Sequence, residues 1–173
     1  MKRIMLDSNA YELILKEIGL ENLRKAKTNQ EIIFYGADVI RKELRQISKQ
    51  RKSLLDSKII KLRNVLLSIY DLLVEDHQYI VDMKTDGIAQ DYYVAYSVLG
   101  GKTPKDDIIT DFRIVACASL HNIDILVSDD RKTMFSKTSL NAYASVNSLY
   151  KIRNPAFIKF DGFKELIGGV NLD

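Results

Sequence analysis

Apolar positions along this chain fall into two rhythms, short β-type runs and longer stretches at helical spacing, and they alternate. Residues 2–6 close on Ile4, Met5 and Leu6 and stop at Asp7-Ser8-Asn9. That pattern predicts a strand, then a helix capped by Ser8 or Asn9 and carrying Tyr11, Leu13, Ile14 and Ile18. Residues 31–35 (EIIFY) predict a second strand, with Gly36 as its break. Residues 37–47 predict a helix with the stripe Val39, Ile40, Leu44 and Ile47. Over 54–74, Leu55, Ile59, Leu62, Leu66, Ile69 and Leu73 keep near-helical spacing, predicting a long core helix with a candidate break near Arg51 and Ser53. Residues 79–81 read as a short edge strand or as irregular structure. Residues 86–99 predict a helix with Ile88, Tyr92, Ala95 and Leu99 on one face, ended by Gly100-Gly101.

The second half repeats the alternation. Thr103-Pro104-Lys105-Asp106 has a capping hydroxyl, proline at the first position and an acid three residues after the cap, so a helix is expected to start there. It runs to about residue 121, burying Ile108, Val115, Ala118 and Leu120, and places Asp107 and Asp111 on one face. Residues 123–127 (IDILV) are the candidate central strand, delivering Ser128, Asp129 and Asp130. A helix over 140–150, a strand over 157–160 and a closing helix over 163–167 complete the series. No repeat or low-complexity linker interrupts it, and 173 residues fit a single domain over 1–173.

Composition narrows the chemistry. Hydrophobic residues make up 46% and charged residues 28%, an ordinary balance for a globular chain. No run approaches the roughly 18 apolar residues of a membrane span, and Asp7 and Glu12 interrupt any signal-peptide core, so a cytoplasmic protein with no membrane association is expected. Cys117 is the only cysteine and sits on an apolar helix face, which excludes a disulfide framework and predicts a buried, inert thiol. With only His77 and His121, His-rich zinc chemistry is disfavoured, and catalysis must rest on carboxylates. Net charge is only +3, yet between Arg41 and Arg63 nine basic residues face two acids, and from Asp71 to Asp91 six acids face one lysine. Two solvated helix faces and a phosphate-contacting arm beside an acidic centre both fit that asymmetry.

Four acids stand where the predicted elements would bring them to the sheet's carboxyl edge, the place where ligands bind in open α/β folds. They are Asp7 after the first strand, Glu43 on the VIRKEL helix, Asp111 opening DFRIVACA, and Asp130 in Ser128-Asp129-Asp130. Converging carboxylates must take up protons or bind cations. Oxygen-only ligands select Mg²⁺ or Mn²⁺ over zinc. Such ions can lower the pKa of a bound water for in-line attack on a phosphodiester.

In these contexts the four acids resemble the PIN-domain nuclease family over nearly the whole chain. Membership would imply a three-layer α/β/α sandwich with a mainly parallel central sheet, and a metal-dependent endoribonuclease. On that reading Asp7, Asp111 and Asp130 hold Mg²⁺ or Mn²⁺, and Glu43 positions the attacking water or completes the ligand shell. Ser8, Asn9 and Ser128 orient the carboxylates. Asp107 and Asp129 are extra ligands or outer groups. Arg41, Lys42, Arg45, Arg113 and Arg131 hold the RNA backbone, and Tyr92 and Tyr93 offer stacking faces or, more simply, pack in the core. The resemblance also implies a homodimer and either a toxin held inactive by an antitoxin-like protein or a housekeeping RNA-processing enzyme. Two other classes remain open: a catalytically weak or inactive RNA-binding or assembly module, and a phosphotransfer domain. The phosphatase form of the latter needs an acid two residues after its nucleophile, where this chain has Asn9.

Overall fold

The computed structural model describes residues 1–28, 32–50 and 56–168. β1 (Lys2–Leu6) leads into α1 (Ser8–Leu13), a π-helical turn (Ile14–Ile18) and α2 (Leu20–Thr28). β2 (Ile32–Ala37) leads into α3 (Asp38–Gln50) and α4 (Asp56–Val74), then β3 (Gln78–Tyr79), α5 (Met83–Val98), α6 (Lys105–Leu120) and β4 (Ile125–Val127). α7 (Lys137–Tyr150), β5 (Ala156–Ile158) and α8 (Phe160–Gly168) follow. The strands form one all-parallel sheet in the order β3-β2-β1-β4-β5, flanked by helices as an α/β sandwich. Ile4 is matched to Phe34 on one side and to Ile125 on the other. β4 is buried at every position, as a strand covered on both faces must be.

The middle strand is β1, not the 123–127 segment. That run shortens to Ile125–Val127, although Asp124 still pairs through its backbone, its N donating to Arg3 O at 2.9 Å and its carbonyl accepting from Ala156 N at 2.8 Å; its carboxylate accepts from Arg3 N at 2.8 Å and pairs with Arg153 at 2.7 Å. Gly36 is also not a break. β2 continues through it to Ala37, and a Cβ at Gly36 would lie 2.2 Å from the Tyr70 hydroxyl oxygen, so glycine is there to admit the ring. α2 escaped the periodicity reading because its apolar stripe is thin, with only Leu23 and Ala26 buried on it among the described residues. α5 starts at Met83, ahead of the expected 86, because Asp82 caps it through Thr85 N at 2.8 Å.

Thr103 does not cap α6. Pro104 holds the cap position without a side-chain bond, and the Thr103 hydroxyl sits 3.0 Å from that of Tyr96. Phe160 starts α8 instead of ending the last strand, and β5 spans Ala156–Ile158. Residues 51–55, where a helix break was expected, and Glu31 lie outside the described residues.

The core between α5, α6 and α7 is aromatic, with Tyr92, Phe112 and Tyr143 in edge-on contact. Tyr92 is therefore a core residue, not a stacking surface. Its hydroxyl donates to Asn147 Oδ1 at 2.5 Å, while Asn147 Nδ2 donates to Ser119 Oγ at 3.0 Å and Asn154 Oδ1 at 2.6 Å. Asn147→Ala would leave several buried polar groups unpaired, so we expect a loss of about 2–4 kcal/mol in urea unfolding. Cys117 is buried, and that burial pushes its thiol up to about 12, consistent with an inert core residue.

Candidate active site

The chain runs from β1 in one direction towards β2 and β3, and from β4 in the other towards β5, so the β1/β4 carboxyl ends form the topological switch point of the sheet. The chain opens there. Asp7 N donates to Val127 O at 2.9 Å, which holds the two strand exits side by side. Asp7 itself, rather than Ser8 or Asn9, caps α1: its Oδ1 accepts from Ser8 N at 2.7 Å. Its Oδ2 accepts from Asn9 Nδ2 at 2.7 Å and Ser128 Oγ at 2.8 Å. Asn9 turns back across the crevice, donating also to Ser128 Oγ at 3.1 Å and accepting from Asp129 N at 3.3 Å.

Asp130 is fixed by the loop after β4. Its Oδ1 accepts from Lys132 N at 2.8 Å and Thr133 N at 2.9 Å, and its own N donates to Ser128 Oγ at 3.1 Å. Ser128 is thus the hinge between Asp7 and Asp130. A second hydroxyl, which sequence reasoning missed, joins Asp130 to Asp111. Thr133 Oγ1 bonds the Oδ2 of Asp130 and lies 2.6 Å from Asp111 Oδ2. The D-x-x-T spacing of an Asx turn was the available signal for it.

One hydroxyl proton cannot serve two ionised carboxylates at once, so the pair calls for a further proton or a cation. Burial, and then the charges of Asp7, Asp130 and Glu43, push Asp111 up to about 8 against the offsetting bond to Thr133. Burial and Asp7 push Glu43 up to about 7, with the Ser8 hydroxyl opposing. Burial also lifts Asp7 to about 6, with Asp130 adding to it against the bonds from Ser128 and Ser8. Asp111 therefore feels the other three acids, each from a separate part of the fold. Among the described residues, no Lys or Arg forms an ion pair with any of them.

The donor set is all oxygen and short of positive charge, which suits a hard cation in kind. In arrangement it is not a finished coordination sphere. No three acidic, His or Cys side chains among the described residues are grouped tightly enough to hold a metal ion together. The acids form a chain linked by Ser128 and Thr133.

The two extra acids stand differently. Asp107 is exposed near the start of α6. Asp129 turns its Oδ1 to Phe160 N at 3.0 Å, satisfying an amide at the start of α8. Asp129→Ala should cost about 1 kcal/mol, or about 2–4 °C in Tm, read by thermal melting.

Of the proposed cationic contacts, Arg41 pairs with Asp71 through two bonds of 3.0 Å, Lys42 with Asp38 at 2.5 Å, and Arg113 with Asp86 at 2.6 Å. Such surface pairs are worth about 0–1 kcal/mol and exchange easily for phosphate. Arg45 and Arg131 are exposed. Tyr93 is half-buried, packs against Phe112 and carries Lys105 over its ring at 5.8 Å. A groove of about 460 Å³ opens elsewhere, lined by Val94, Val98, Val146 and Leu149 among others, and none of the four acids borders it.

No family model matches the chain, and no curated protein matches it. Solved structures do. A chain of FitAcB from Neisseria gonorrhoeae is 16% identical with a TM-score of 0.57, the match covering 91% of this chain and 97% of that one. A chain of FitAB bound to an IR36 DNA fragment is 14% identical at 0.56, covering 91% and 94%. A chain of VapBC2 from Rickettsia felis, bound to a DNA fragment from their promoter, is 16% identical at 0.55, covering 91% and 98%. The likeness is one of fold, and it agrees with the α/β architecture that the resemblance of the acid motifs implies.

Proposed function

We propose that this chain is a metal-dependent endoribonuclease whose reaction centre is the cluster of Asp7, Glu43, Asp111 and Asp130. The observation that carries the reading is the line of carboxylates at the β1/β4 switch point, Asp7 joined to Asp130 through Ser128 and Asp130 to Asp111 through Thr133, with Asp7 acting on Glu43 beside them and no cationic side chain paired to the four among the described residues. Asp7, Asp111 and Asp130 would hold Mg²⁺ or Mn²⁺, which when bound supplies an activated water and charge stabilisation at the phosphate.

The chain's own residues do the rest. Ser8 N, Asn9 and Ser128 hold the Asp7 carboxylate in one orientation. The Lys132 and Thr133 amides do the same for Asp130. Glu43, lifted towards neutrality, is poised to accept a proton from the attacking water. The exposed Arg45 and Arg131 would meet the phosphodiester backbone, with Arg41, Lys42 and Arg113 able to exchange their surface partners for it.

The fold neighbours in FitAB and VapBC assemblies favour the toxin setting: a cytoplasmic, single-domain, homodimeric nuclease restrained by an antitoxin-like protein, with RNA as its substrate. The incomplete grouping of the acids favours the second reading, a weakly active or inactive RNA-binding module of the same fold. End-labelled RNA and DNA oligonucleotides incubated with Mg²⁺, Mn²⁺ or EDTA separate them. Metal-dependent cutting of RNA supports the nuclease, and retention of RNA on the protein without cutting supports the module.

A further inference from the structure

Two uncharged stretches of this chain stand side by side at the surface. Residues 92–101 and 138–150 contain no Asp, Glu, Lys or Arg, in a chain that is 28% charged. The first covers the carboxyl half of α5 and the second nearly all of α7, and the two helices together line the groove of Val94, Val98, Val146 and Leu149. Charge returns only at their ends, with Asp91 and Lys102 around the first stretch and Lys137 and Lys151 around the second. An uncharged centre inside a polar rim is the makeup of a protein interface.

The face is also unusually apolar for a surface left in water. Val98 and Leu149 are each 82% exposed, and Val94, Leu99 and Tyr150 are roughly half exposed. These five side chains show water an apolar area on the order of 500 Å², at the upper end of what a monomer carries in one patch. With the small exposed residues among them, Ser97, Ala144, Ser145 and Ser148, the face approaches the roughly 800 Å² per partner of a stable complex. Its hydroxyls are already paired, so covering them costs little: Ser97 Oγ donates to Tyr93 O at 2.9 Å, Ser145 Oγ to Asn141 O at 2.9 Å, and Tyr150 Oη to Asp91 Oδ2 at 2.5 Å.

We propose that this α5/α7 face is where two copies of the chain meet. A two-fold contact sets a patch against the same patch, so a charged one would repel its own copy. This face has no charge at its centre and is complementary to itself, whereas a strongly charged partner would have to bury its charges unpaired against it. None of the four acids borders the groove, so the pairing leaves the proposed reaction centre open, and it holds or fails independently of the nuclease reading.

Sedimentation velocity of wild type, Val98→Glu, Leu149→Glu and Ile80→Glu tests it, with circular dichroism on each. Wild type should sediment at twice its 19.8 kDa chain mass at about 50 µM. Both groove variants put a charge on an exposed helix position, which leaves the fold of one copy intact, and should weaken pairing by about 100-fold or more. Ile80 is exposed and outside the groove, so Ile80→Glu should pair like wild type. If a groove variant unfolds, amide exchange of wild type replaces it: residues 92–101 and 144–150 should gain protection between about 1 and 50 µM, and unchanged exchange there overturns the proposal. A wild type that stays monomeric overturns it and leaves the face to a different protein, and a dimer undisturbed by both groove variants overturns the choice of face.

Discussion

Asp130→Asn is expected to lower metal-dependent RNA cleavage by on the order of 10²–10⁴-fold while leaving the fold intact. Asparagine keeps the oxygen that accepts from the Lys132 and Thr133 amides, so the loop after β4 stays closed. What it loses is the negative charge that a cation needs. Asp7→Asn should do the same for a related reason: an amide oxygen still accepts from Ser8 N, yet the charge at the β1 exit is gone. The exposed Asp107 supplies the control. Asp107→Asn should lower the rate less than either, since its side chain is exposed one helical turn before Asp111 and, among the described residues, bonds neither of the hydroxyls that join the other acids. Single-turnover cleavage with far-UV circular dichroism on each variant separates lost chemistry from lost structure.

The metal-free protein is expected to lose stability as pH rises from 5 to 8. The sign follows from proton linkage: Asp111 is lifted to about 8 in the folded chain, whereas an unfolded aspartate titrates near 4. Between those values the native state keeps a proton that the unfolded state has released, so raising pH favours unfolding. Above about pH 8 this contribution is fully lost. Glu43 at about 7 and Asp7 at about 6 act in the same direction over narrower windows. A full shift is worth at most about 1.4 kcal/mol per pH unit, and solvent access to half-buried Asp111 reduces that to on the order of 1–2 kcal/mol over the range. Asp111→Asn should flatten the slope and raise Tm at pH 8 by about 3–6 °C. Added Mn²⁺ should stabilise wild type at pH 8 and leave Asp111→Asn nearly unmoved, because the cation replaces the missing counter-charge only where the charge exists. Thermal melts from pH 5 to 9, with and without metal, read both effects.

Much of the fold was legible because burial on both sheet faces writes itself into short apolar runs. β1 begins and ends where expected, and α6 leads into β4 with its small residues Ala116, Cys117 and Ala118 buried. What the pattern could not show was partnership between distant residues. Gly36 reads as a turn until Tyr70 is seen lying over it. Thr103 reads as a cap until Tyr96 claims its hydroxyl. The four acids could be named from their motifs, but the hydroxyls that join them could not all be. Ser128 sits beside its aspartate in sequence, whereas Thr133 reaches Asp111 across 22 residues through the α6–β4 connection. Asp129, read as an extra ligand or an outer group, has a partner that its motif did not show, the Phe160 amide at the start of α8. Tyr92 sits on an α5 face turned into the interior, and its depth was set by α7, a contact that local spacing does not encode.

The measurement that bears most directly on the acids as one cation-binding centre is Mn²⁺ titration of the wild-type protein at pH 7 by calorimetry in buffers of different ionisation enthalpy. If Asp111 holds a proton that a cation must displace, binding releases on the order of one proton at pH 7 and close to none at pH 9. Binding without proton release, or no Mn²⁺ binding by the folded protein at either pH, would contradict the account.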